Sequence, residues 1–161
     1  MEKFTTYVAE ANKAFNTADH LIYVTYPVLR DNKLLAIALE HLHTALLRGM
    51  AALLYYDVSY KRISVFPSEF TSQFRLFKES SAKRYGIGED LCLVISDVAE
   101  MVQQRRQSPI EFSRKDTYVI ASPTYKLRTL TIEKMKKYLG TTKTFMERVN
   151  HVYAAYDGRR H

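Results

Sequence analysis

Residues 32–61 carry the pattern that most limits how this chain can fold. Leu35, Leu39, Leu42, Leu46, Gly49, Leu53, Tyr56 and Tyr60 recur in alternating steps of four and three, the spacing of one apolar stripe on an α-helix. Leu47, Met50 and Leu54 occupy another side, so a helix from about Asn32 to Lys61 is apolar nearly all round. Such a helix belongs at the centre of a bundle. Gly49 stands on the main stripe, where glycine costs about 1 kcal/mol in helix propensity. The expected compensation is the close approach of a neighbouring helix.

Four more segments can surround it. The first helix is expected from about Glu2 to Arg30, on the stripe Phe4, Val8, Ala11, Phe15, Ala18, Ile22, Thr25 and Leu29, widened by Tyr7, Ala14, Leu21 and Val28. Pro27 in its last turn predicts a kink or an early stop. A third helix follows "FPSEF", with Pro67 or Ser68 at its start. Its buried side would be Phe70, Phe74 and Phe77, and Gly86 is its stop. A fourth starts at Gly88, with Glu89 and Asp90 placed to favour the helix dipole. It carries Leu91, Ile95, Val98 and Val102 inward, and Pro109 ends it. The last begins between Ser122-Pro123 and Thr131 and repeats the spacing through Ile132, Met135, Leu139, Thr142, Met146, Val149, Tyr153 and Tyr156. Between the last two, "DTYVIAS" reads as a short extended segment with no evident strand partner, so no sheet is expected. Helices whose apolar spacing averages about 3.5 residues pack at shallow angles. The expected fold is all-α: an up-and-down antiparallel bundle of about five helices, forming a single domain over residues 1–161.

Composition narrows the class. At 161 residues with 47% hydrophobic content, the chain can bury a proper core. No apolar run approaches the roughly 20 residues of a membrane span, and "MEKFTTYVAEAN" has no apolar signal region. Cys92 is the sole cysteine, so neither an internal disulfide nor a cysteine metal site is expected. A cytoplasmic protein without a cofactor is the expectation.

Charge is uneven along the chain. Residues 1–100 hold 11 Lys and Arg against 12 Asp and Glu, whereas residues 101–161 hold 13 against 5. The whole basic excess therefore lies in the last third, where a one-sided positive field would attract RNA, another polyanion or an acidic protein partner; the alternative is a solvated, solubilising helix face. The segment "QQRRQSPIEFSRKDTYVIAS" gathers Arg105, Arg106, Arg114 and Lys115, and the last helix adds Lys134, Lys136, Lys137, Lys143 and Arg148. Ile110 and Phe112 are expected to pin this segment onto the bundle, holding its guanidinium groups ready for phosphate. The alternative is internal: Arg114 could pair with Glu111, Asp116 or a carboxylate on another helix. Anion-binding candidates are Arg105, Arg106, Arg114, Lys115, Lys134 and Lys137.

Glu40, His41, Thr44 and Arg48 fall within a sector about 100° wide on the central helix. A carboxylate, an imidazole and a guanidinium there could make an acid–base site. Equally, they could form an internal polar network or the exposed edge of the helix. Glu40, His41 and Arg48 are thus the weak catalytic candidates. His41 and His43 point about 200° apart and cannot share an ion, and no metal site is expected. The remaining histidines are scattered, and no Gly-rich phosphate loop, GxSxG or HExxH occurs. The run "LLYYDVSYKRI" sets Tyr55, Tyr56 and Tyr60 beside Lys61 and Arg62. Tyrosine beside cations suits stacking on unpaired bases or protein interfaces, and for Tyr56 and Tyr60 core packing is expected.

In helix order and character the chain resembles the HEPN superfamily of small helical bundles. The segments "TADHLIYVTYP", "DNKLL", "LLYYDVSYKRI" and "SPIEFSRKDTYVI" are similar to those of uncharacterised archaeal HEPN-like proteins. The resemblance implies a homodimer that is a metal-independent ribonuclease, a non-catalytic binding module or a toxin–antitoxin partner. The family's catalytic signature is an Arg followed by a His after four to six intervening residues. No Arg of this chain has that spacing; Arg105 and Arg106 are followed by Ile110, Glu111, Phe112 and Ser113, and Arg148 precedes His151 too closely. A non-catalytic module that binds RNA or another polyanion is the expected function. A degenerate ribonuclease or nucleotide-handling enzyme and a protein-interaction module are the alternatives.

Overall fold

The computed structural model describes residues 1–108 and 110–160. Helix α1 spans residues 2–29, α-helical over Glu2–His20, π-helical over Leu21–Thr25 and α-helical again over Tyr26–Leu29. Helix α2 is Lys33–Ser59, and α3 spans residues 70–84 with a π turn at Phe77–Ser81. Helix α4 is Glu89–Gln107 and α5 is Ile132–Arg160. Between them run three strands, β1 (Ile110–Arg114), β2 (Thr117–Ala121) and β3 (Leu127–Leu130).

Helix α2 is enclosed as its sequence requires. Leu35, Leu39, Leu42, Leu46, Met50, Leu53 and Leu54 are fully or almost fully buried. Helix α1 makes the broadest contact with it, and α4 and α5 pack on other sides. The helices alternate in direction. Phe4 lies against Tyr56 with ring centroids 4.8 Å apart, while at the opposite end the Tyr26 hydroxyl donates to Asn32 at 2.9 Å. Phe4 also meets Tyr156 edge-on at 5.5 Å, and Lys136 sits over Tyr23 at 5.3 Å, so α5 runs antiparallel to α1. At Gly49 the expected close approach is present: a Cβ there would lie 2.6 Å from Phe145 Cε2 on α5.

Pro27 acts before it is reached. A proline inside an α-helix clashes with the carbonyl four residues back. Here the preceding turn is π-helical, and the Tyr26 N–H donates to Leu21 C=O, five residues back. The extra residue shifts the phase of the stripe. Tyr26 takes the buried position, and Val28 and Leu29, expected on the apolar face, are exposed.

The main correction concerns the segment between α4 and α5. It is a three-stranded antiparallel sheet in the order β1-β2-β3, not an isolated extended stretch. Phe112 pairs with Val119 and Val119 with Thr129. Tyr118, Ile120 and Leu130 point into the core. Ile110 and Phe112 do not pin the segment, since both are exposed. The work falls to Glu111, which meets Arg105, and to buried Asn32, whose amide donates to Ser113 Oγ at 2.8 Å and Lys115 O at 2.6 Å. Pro109, expected to end α4, lies outside the described residues. Tyr56 is buried as expected, whereas Tyr60 is exposed and lies tilted against it, ring centroids 4.8 Å apart. No helix is long and apolar enough to cross a membrane among the described residues.

Gly49→Leu must push Phe145 out of its site. Overpacking of this kind costs about 1–3 kcal/mol, read as a fall in melting temperature. An unchanged melting temperature would mean that α2 and α5 do not approach at this point.

Candidate functional site

The last turn of α4 brings Arg105 and Arg106 over the first half of α2. Arg105 Nε and Nη2 donate to the two oxygens of Glu111 at 2.9 and 3.2 Å, and Nη1 donates to Glu40 Oε1 at 3.1 Å. Arg106 Nη2 reaches the other Glu40 oxygen at 3.3 Å. Arg105 is therefore a clamp joining α4 to α2 and to β1. Its side chain is 20% exposed and two carboxylates offset its charge. This is the internal pairing weighed for Arg114, with Arg105 taking Glu111 instead. Arg106 keeps 64% of its side chain exposed and remains available to a ligand.

Glu40, His41 and Arg48 do not form one site. Glu40 faces α4, as described. Arg48 turns toward α1, where Nε meets Glu10 at 2.9 Å and the guanidinium lies over the Tyr7 ring at 4.9 Å. His41 lines a shallow cavity with Glu10, Thr44 and Arg48, and that cavity does not include Arg106. The imidazole beside Arg106 belongs to His43. Two adjoining cavities of about 340 and 540 Å³ share His43, Leu47, Phe70 and Arg106. The first also takes in the candidate Arg48, with Tyr55, Ser68 and Gln73, so Arg48 and Arg106 share a cavity that His41 does not line. Burial lowers the His43 pKa, the Arg106 charge lowers it further, and Glu40 opposes both. The imidazole is thereby kept neutral to lower pH than a free one. The spacing contained this signal: His43 follows Glu40 by three residues and so shares its flank of the helix.

The other basic candidates are scattered over the sheet and α5. Arg114 and Lys115 lie at the β1–β2 turn and are exposed, with Lys115 at φ 53°. They stand apart from Arg105, which lies on the far side of the strand. Lys134 is half-buried, donates to Thr129 O at 3.3 Å and lies over Tyr138. Burial lowers its pKa, and Arg128 lowers it further, so it is partly committed to the fold. Lys137 is exposed, as are Lys136 and Lys143 on the same outer strip of α5. None of these three meets a carboxylate within ion-pair distance among the described residues. No group of three or more His, Cys, Asp or Glu that could hold a metal ion occurs among the described residues.

No protein-family model matches the sequence, and no curated protein matches it.

The His43 environment gives a pH signature. Below its ordinary pKa of about 6.5, the unfolded imidazole takes up a proton that the folded one resists. Stability contributed by neutral His43 is therefore lost as pH falls from 6.5 towards the lowered folded value. Arg106→Ala should raise the His43 midpoint, followed by NMR, but leave it below 6.5 because burial persists. A midpoint that does not respond to Arg106→Ala would separate the two residues.

Proposed function

We propose that this protein is a non-catalytic, HEPN-like helical module that binds RNA or a similar polyanion through the basic groups of its last third, acting as a homodimer. The observation that carries this reading is the set of cations left after internal pairing. Arg105, Arg106 and Arg128 are matched by Glu40, Glu111, Asp97 and Glu100. Arg114, Lys115, Lys126, Lys136, Lys137 and Lys143 are exposed and have no such match among the described residues. They lie in the two turns of the sheet and on the outer strip of α5. Exposed cations with nothing to neutralise them are the electrostatic footprint of a phosphate ligand. The order and character of the helices support the family resemblance, and the absent Arg–His spacing supports a non-catalytic member.

A degenerate ribonuclease or nucleotide-handling enzyme is the second reading. One observation favours it: Arg106 and His43 line the same groove with Ser68 and Gln73, which is room for a ligand of modest size. In that reading His43, rather than His41, moves the proton.

Charge reversal separates a placed surface from bulk charge. Lys136→Glu, Lys137→Glu and Lys143→Glu together should weaken RNA binding about tenfold or more. The matched triple Lys13→Glu, Arg75→Glu and Lys83→Glu changes net charge equally and should cost much less. Equal losses would mean that only net charge matters. Cleavage of the same RNA, abolished by His43→Ala, would move the balance to the second reading.

A further inference from the structure

Four helices wall the cavity of about 340 Å³ beside Arg106: α1 through Tyr7, α2 through Arg48 and Tyr55, α3 through Phe70 and α4 through Arg106. Leu47 and Ala51 add aliphatic surface. Among the described residues, no carboxylate lines this cavity. The acids that hold its two guanidinium groups stand outside it. Arg48 meets Glu10 through Nε at 2.9 Å, and Glu10 lines the neighbouring shallow cavity instead. Arg106 meets Glu40 through Nη2 at 3.3 Å. A guanidinium has more N–H groups than one carboxylate can take, so both arginines have donors left for the cavity. The His43 imidazole, held neutral by burial and by Arg106, lies in the same wall as the Ser68 hydroxyl and the Gln73 amide.

We propose that this cavity binds a small aromatic carboxylate, a flat ring carrying one negative charge. Guanidinium groups from two different helices border it, and their planar N–H forks suit a carboxylate held by paired bonds. The rings of Tyr7, Tyr55 and Phe70 favour a flat apolar ligand over an aliphatic one. Phe70 is braced by Phe74, stacked on it with centroids 5.4 Å apart. Charge limits the number of anionic groups. Each guanidinium is already shared with a carboxylate, so the pair offsets one added charge more readily than two. The adjoining cavity of about 540 Å³ carries Glu69 and Glu100, which repel a ligand whose negative charge extends that far. A nucleotide, with its phosphate dianion, is the poorer match on both counts. The volume falls at the lower end of small-molecule pockets. None of these residues is among the unmatched cations of the sheet and α5, so the inference stands apart from the polyanion reading.

The test is NMR titration of the full chain with naphthoate, with its neutral amide naphthamide and with adenosine monophosphate, followed at the His43 imidazole and the Gln73 side-chain amide. Naphthoate should move these signals saturably, and the other two should bind at least about tenfold more weakly. Arg48→Gln made together with Glu10→Gln keeps the net charge. It should weaken naphthoate about tenfold and leave naphthamide unchanged, whereas a general disturbance of the groove would weaken both. Arg106→Gln, at the exposed end of α4, should do the same and serves if the double variant does not fold. Phe70→Leu should weaken acid and amide alike, about threefold. The absence of a saturable shift, equal affinity for acid and amide, or unaltered naphthoate affinity in the arginine variants or in Phe70→Leu would overturn the proposal. Tighter binding of adenosine monophosphate than of naphthoate would also overturn it and favour the nucleotide-handling enzyme.

Discussion

The structure depends on the need to surround α2. A helix that is apolar on nearly every side cannot lie on a surface, so α1, α4 and α5 are drawn around it. Gly49 lets α5 in close enough for Phe145 to cover the backbone. The same demand decides where polar groups can go. Asp57 is fully buried near the end of α2 and is tolerated because donors close on it. Ser81 Oγ donates at 2.6 Å, the Tyr85 hydroxyl at 2.5 Å and Arg62 at 3.1 Å, with Arg84 at 3.5 Å. Burial, then the bond to Asp57, raises the Tyr85 pKa and keeps that phenol a donor. This ring of donors fastens the π turn of α3 to α2. At the other end of α2, Glu40 serves α4 in the same way through Arg105 and Arg106.

These two polar joints sort the charges of the molecule. Arg105 is consumed by structure, since its guanidinium satisfies two carboxylates at once, whereas Arg106 gives one nitrogen to Glu40 and stays largely exposed. Lysines on α5 are left over because their helix turns one strip to solvent while Met135, Leu139, Phe145, Met146 and Val149 fill the core. The basic surplus therefore survives folding as exposed lysines on α5 and as Arg114, Lys115 and Lys126 around the sheet. Arg105, with its charge offset on both sides, contributes to the shape of that surface rather than to its potential.

The helices were legible because a long 3.5-residue repeat has few other meanings, and Gly49 marked the tightest contact by its place on the stripe. The sheet was not legible. Its β2 strand, "TYVIA", is buried on both faces, so it lacks the alternation by which a strand is read. Its partner β1 mixes apolar and charged residues in the opposite sense to the usual one. Glu111 faces inward because Arg105 waits there, and Phe112 is left outside. The candidate site was half legible. Glu40 and Arg106 do meet, but no periodicity says which neighbour each flank of α2 receives. The imidazole on the Glu40 flank, beside Arg106, is therefore that of His43 and not of the candidate His41. The phase shift at Leu21–Thr25 was likewise hidden, because Pro27 predicts a disturbance without saying how the chain absorbs it.

The proposed phosphate-binding role of the unmatched cations in the last third is open to one simple titration. The most direct measurement is the salt dependence of RNA binding by the wild-type protein. Each phosphate neutralised on a single strand contributes about −0.7 to the slope of log affinity against log salt. Engagement of three to five cations predicts a slope between about −2 and −3.5. A flat dependence would contradict the claim and leave those lysines and arginines as a solubilising surface on a helical bundle.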